Sequence, residues 1–265
     1  MHDVNNNKCY RTNNPFDDSR YLYFISDPPH LLKTTRNCFS NSYAHFNSRK
    51  LWNTQDISWI HIVSLYENYN ELTPKGLRLC PKLKRAHIDL TPFSRMNVRL
   101  AANVLSDTVS RGLKRCYGDR VRATCELINM VNKWFDIMNT KSIGELFASR
   151  NPNLNVFSSL NDERLVWLEF EFLEYFNKWD RNVEQREGVY TQNEKSRMKL
   201  SHQTLKGFFI TTKAVIECVK FMLQRGAEFI LTSHFNQDPL EQIFGHVRHK
   251  DGEPIEKRVE KRVCR

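Results

Sequence analysis

Apolar residues recur at three- and four-residue spacings through most of the chain, and this period predicts a largely helical protein. Over 92–117, Met96, Val98, Leu100, Ala101, Val104, Leu105, Val109 and Leu113 stack on one face, with Arg95, Arg99, Arg111, Lys114 and Arg115 opposite. The pattern reads as one long helix ended by Gly118. A second helix is expected from about Val121 to Asn139, antiparallel to the first around a shared core. A third spans roughly Asn161 to Val183, capped by Asn161 or Asp162. It is rich in aromatic residues, with Glu169, Glu171 and Glu174 on its solvated face. A fourth runs from about His202 to Gln224 and stops at Gly226. A helical pattern also covers Leu51 to Tyr69, where Trp59, Ile60, Val63 and Tyr66 share a face. The exception is Tyr21 to Ile25, an aromatic, β-favouring run. It leads into Asp27-Pro28-Pro29 and then an amphipathic segment reaching Asn37. Proline suits a first helical turn, so Asp27 is expected where a strand ends and a helix begins. Residues 1–20 are polar and asparagine-rich, and nothing in them reads as a partner strand for 21–25. On that ground the chain is expected to be a fragment.

Composition narrows the class without naming a function. The chain has 265 residues, 40% hydrophobic and 26% charged, which is a globular balance. Its formal charge of +10 suits an anionic partner such as nucleic acid, or simply a soluble basic surface. Seven cysteines with no Cys-x-x-Cys pair argue against a zinc knuckle or a disulfide framework and fit a reducing compartment. No apolar run is long enough to span a membrane, and no apolar core near Met1 suggests a leader. The sequence has no Gly-x-x-x-x-Gly-Lys phosphate loop, so any nucleotide site must be built another way.

Several residues carry candidate chemistry. Asp27 stands where carboxylates of α/β active sites collect, or it simply caps the helix. Asp238 precedes Pro239 and lies three residues before Glu241, so both can face one site, and Asp238 can also cap. Lys33 and Arg36 are candidates for phosphate contacts, or the solvated face of their helix. In Phe135-Asp136-Ile137-Met138-Asn139, Asp136 and Asn139 share a helical face. A ring beside a carboxylate can stack on a base and accept from its N–H groups, while the plain alternative is a core phenylalanine, a surface aspartate and a helix end.

Asp27-Pro28-Pro29-His30-Leu31-Leu32-Lys33-x-x-Arg36-Asn37 resembles the second catalytic-aspartate motif of P-element-type transposases. Asn236-Gln237-Asp238-Pro239-Leu240-Glu241-Gln242-Ile243-Phe244-Gly245-His246-Val247-Arg248 resembles the block around that family's catalytic glutamate, and the segment between resembles its GTP-binding insertion domain. The resemblance implies a mostly α fold with a small α/β part: an RNase H-like domain remnant split by a helical insertion. It divides the chain into a polar segment 1–20, a partial RNase H-like part 21–58, the insertion 59–200, a return 201–250 and a charged tail 251–265.

By the same resemblance Asp27 and Glu241 are catalytic and bind Mg²⁺ or Mn²⁺. Phe135, Asp136, Asn139, Lys82, Val98 and Asp238 bind the guanine nucleotide, GTP. The implied parent cleaves and transfers DNA strands in the nucleus, binds transposon ends and forms a homo-oligomer. The family's first catalytic aspartate finds no match, since Asp3, Asp17 and Asp18 lack the strand context. The chain as written is therefore expected not to cut DNA. The alternative is a non-enzymatic nucleotide- or DNA-binding module derived from such an element.

Overall fold

Apolar period and cap chemistry together account for the helices of the computed structural model, which describes residues 9–42, 48–144 and 150–237. The chain enters through a hairpin. Strand β1 (Arg11–Asn13) pairs antiparallel with β2 (Tyr21–Tyr23), Thr12 opposite Leu22. Helix α1 (Pro28–Ser40) follows, with Asp27 at its N-cap accepting the His30 N–H. A tight hairpin, β3 (Trp52–Asn53) and β4 (Gln55–Asp56), turns at Thr54, whose φ is +61°. Helix α2 (Ile60–Leu65) widens into a π-helical turn over Tyr66–Glu71. Three short helices come next: α3 (Arg85–Ile88), α4 (Pro92–Met96) and α5 (Val98–Val104). Then α6 (Asp107–Tyr117) and α7 (Arg122–Met138) form an antiparallel pair, with Ser110 against Cys125 and Asp107 against Asn132. Helix α8 (Glu163–Trp167) passes through a π turn (Leu168–Phe172) into α9 (Leu173–Glu184), followed by α10 (Gln192–Arg197) and α11 (His202–Gln224).

The core gathers on Trp134 of α7. Its ring stacks on Phe172 at 5.6 Å between centroids and meets Phe208 of α11 edge-on at 4.7 Å. Its indole N–H donates to Thr212 Oγ1 at 2.9 Å, so the polar edge of a fully buried ring is satisfied. Helix α11 also approaches α1 closely at Gly207, where an added Cβ would stand 2.5 Å from Leu31 Cδ2. The entry hairpin is held to α11 by Tyr10 and Arg11, both on Glu217, and by Thr211, which accepts the Ser26 N–H and donates to its carbonyl.

The structure corrects four expectations. The apolar run 92–117 is three helices, because Thr91, Asn97 and Ser106 each turn a side-chain oxygen onto a backbone N–H and start a new helix. The run 51–69 is helical only from Ile60, because Trp52 donates its N–H to Met198 O and accepts from the Trp179 indole at 2.7 Å. The strand at 21–23 does have a partner upstream. Asp17 accepts from Ser19 and Arg20 and folds Asn14–Arg20 into the turn that brings β1 back, so the strand is paired within the chain. Arg36 is wholly buried and donates to the carbonyls of Ser94 and Arg95 at 2.9 and 3.0 Å, so it fastens α4 to α1 and offers no surface to a phosphate. Among the described residues the strands form two separate two-stranded sheets, and no helix is long and apolar enough to cross a membrane.

Candidate functional site

The break between α5 and α6 makes a pocket of about 440 Å³. Leu105 leaves helical geometry at the end of α5, and Ser106 caps α6 by accepting the Val109 N–H. The corner so formed is closed by the Pro81–Leu83 loop on one side and by α7 on the other. Lys82, Phe135 and Asp136, three of the residues singled out in the sequence, line this pocket together. Lys82 is exposed at its rim, while Phe135 and Asp136 are half-buried on α7.

The carboxylate of Asp136 is fixed from two sides. Asn132, one turn earlier on α7, and Asn151, from the segment before α8, each donate a side-chain amide to its Oδ2 at 2.9 Å. Asn132 also accepts the Asp107 N–H at 3.3 Å, which ties the floor of the pocket to the first turn of α6. A half-buried carboxylate held in this way is an acceptor aimed by its neighbours, with an aromatic wall beside it and a cation at the mouth. Such an arrangement can take a planar heterocycle that donates N–H groups and carries an anionic tail.

The other expected residues fall elsewhere. Asn139 ends α7 behind the pocket, and its buried Oδ1 has no hydrogen-bond partner among the described residues. Val98 begins α5 and packs on the core, outside the pocket lining. Asp238 and Glu241 lie outside the described residues. Sequence reasoning missed Asn103, Ser106, Thr108 and Asn132, all of which line the pocket. One signal was present: a serine and an aspartate inside an apolar run mark a helix start, and reading Ser106-Asp107 as a cap exposes the break.

Asp27 holds a second place of interest. Its Oδ2 accepts the His30 N–H at 2.9 Å and its Oδ1 accepts the Gln237 N–H at 3.1 Å. The cap is thus present, and Gln237, at the described start of the second block, reaches the same carboxylate. Asp17 is committed to the hairpin turn, where Ser19 and Arg20 hold its carboxyl down at about 2. Among the described residues no three of His, Cys, Asp and Glu stand together as a metal site. Asp27 alone does not supply the donor set of a two-metal clamp, and no chemical step is derived from one.

The comparisons with known proteins bear on the pocket. The family model described as the TNP-like, GTP-binding insertion domain matches residues 29–149. The transposable element P transposase of Drosophila melanogaster is 24% identical over 246 residues, which is 90% of this chain and 29% of that protein. The solved Drosophila P element transposase strand transfer complex has the same fold over 92% of this chain and 50% of the solved chain, with TM-score 0.68 and 21% identity. This chain therefore spans half or less of the relatives it matches.

Proposed function

We infer that this chain, a relative of the P-element-type transposases, binds a guanine nucleotide in the pocket between α5, α6 and α7. One observation carries the reading. Lys82 and the adjacent pair Phe135-Asp136 come from two distant stretches of the chain and converge on one pocket. Asp136 accepts from the N1–H and exocyclic amine of guanine, which adenine cannot offer in the same places. Phe135 walls the base, and Lys82 at the rim meets the phosphates. Residues 59–200 stand as the insertion unit in this proposal, while the family match itself covers 29–149 and so reaches back over α1.

The remaining parts of the reading follow from the relationship. The hairpin, α1 and α11 correspond in this proposal to a remnant of an RNase H-like domain, with Asp27 and Glu241 as its carboxylates for Mg²⁺ or Mn²⁺. DNA ends, a homo-oligomer and a nuclear site of action belong to the same proposal. The Gln237 N–H on Asp27 supports bringing Glu241, four residues further on, toward that carboxylate. Strand cleavage needs a third carboxylate in reach, and Asp17, bound up in its turn, does not offer one.

Calorimetric titration of GTP and ATP into the full chain and into Asp136→Ala tests the nucleotide reading. The wild type is expected to prefer GTP. Asp136→Ala is expected to weaken GTP roughly 5- to 150-fold, about 1–3 kcal/mol for an unpaired base edge, and to leave ATP nearly unchanged. Equal affinities, or an unchanged GTP affinity in the variant, would remove Asp136 from the site.

A further inference from the structure

One layer behind the pocket wall stands a histidine that the reading above does not use. His87 is 2% exposed and sits in the short helix α3. Its Nδ1 lies 3.0 Å from the backbone N of Lys84 and 3.2 Å from the Lys84 carbonyl oxygen. Its Nε2 lies 3.2 Å from the side-chain amide of Asn103, and Asn103 lines the pocket. Burial holds the ring neutral, with the nearby Lys84 and Arg36 cations acting the same way against the Lys84 carbonyl. A neutral imidazole has one donor and one acceptor, so two arrangements compete.

In the first arrangement Nδ1–H donates to the Lys84 carbonyl and Nε2 accepts from the Asn103 amide nitrogen. That carbonyl already accepts the His87 backbone N–H at 2.9 Å, and the Lys84 N–H, directed at a ring nitrogen that carries a proton, loses its acceptor. In the second, Nδ1 accepts the Lys84 N–H and so caps the start of α3, while Nε2–H donates to Asn103. A donor there requires the amide oxygen of Asn103, and the choice between amide oxygen and nitrogen is set by such a network. The second arrangement satisfies one more group at the helix start and uses the shorter contact.

We propose that His87 positions Asn103 so that the amide NH₂ group, not the amide oxygen, faces the pocket and donates to an oxygen of the bound nucleotide. The proposal rests on the reading of the pocket as a nucleotide site. It gives the pocket a donor on the α5 side to complement the acceptor Asp136 on the α7 side. The backbone of Asn103 is fixed at this point, because its main-chain carbonyl accepts the Ser106 hydroxyl at 2.8 Å where α5 gives way to α6, which leaves the amide orientation to His87.

Two measurements on the full chain test it. Long-range ¹⁵N correlation of the histidine rings in ligand-free protein at neutral pH reads the tautomer of His87 directly, and the Nε2–H form is expected. GTP and guanosine are then titrated into wild type, His87→Asn, Asn103→Ala and the double variant. Asparagine at 87 keeps an oxygen for the Lys84 N–H but lacks the Nε2–H, so it separates capping of α3 from orientation of Asn103. Each single variant is expected to weaken GTP roughly 5- to 20-fold, and the double variant no more than the weaker single. Loss with guanosine as well assigns the acceptor to the nucleoside, and loss with GTP alone assigns it to a phosphate. An Nδ1–H tautomer, additive losses, or an unchanged GTP affinity in His87→Asn would overturn the proposal. Absence of GTP binding by the wild type would count against the pocket reading instead, and the tautomer would still decide the amide orientation.

Discussion

At the scale of single residues, burial decides which side chains respond to pH. His61 and His87 are both pushed below the usual imidazole value of 6.5 by burial, and each has a fixed partner, Thr124 for His61 and Asn103 for His87. The unfolded chain therefore takes up these protons first, and stability is lost as pH falls below about 6.5 toward the folded values. The carboxylates lowered by hydrogen bonds, Asp17, Glu174, Glu184 and Glu194, act in a separate window at lower pH. Urea midpoints are expected to drop between pH 7 and pH 5, and to drop less in His87→Asn. A midpoint flat over that range would show that the two rings are not buried neutral. Residue-level chemistry was partly legible in the sequence. Asp27 before two prolines reads as a cap, and it is one. Phe135 and Asp136 stand out as a short motif. Asn103 and Asn132 do not, because their roles come from what a neighbouring helix places beside them.

At the scale of elements, apolar period located helices well and their ends poorly. The run 92–117 keeps its apolar face across two breaks, so periodicity alone joins α4, α5 and α6. The information on the breaks lies in Asn97 and Ser106, which compete for backbone N–H groups. Ser106→Ala is expected to destabilise the fold by about 1 kcal/mol through loss of the α6 cap. A thermal midpoint equal to wild type would mean that the cap is replaced by another acceptor. Contact between α1 and α11 was not legible at all, since Gly207 reads as a mild helix defect. In the structure it admits Leu31, and an added Cβ would lie 2.5 Å from that side chain. Gly207→Ala gains up to about 1 kcal/mol of helix propensity and loses about 1–3 kcal/mol to overpacking, so a net loss is expected. Leu31→Ala should then cost less in the Gly207→Ala background than in the wild type, and additive costs would rule out the contact.

At the scale of the whole molecule, the pocket depends on segments far apart in the chain. The Pro81–Leu83 loop, the α5–α6 corner and α7 meet there, and Asn151 reaches back to hold Asp136. A largely helical class follows from period and composition, whereas this convergence is made by tertiary packing of distant segments, which period does not encode. We infer that this convergence is a guanine-nucleotide site. Photolabelling of the full chain with 8-azido-GTP, followed by mass-spectrometric mapping of the modified peptides, tests it most directly. Label is expected in peptides carrying Lys82 and Phe135-Asp136, competed by GTP and far less by ATP. Label confined to peptides outside 80–136, or competition by ATP equal to that by GTP, would contradict it.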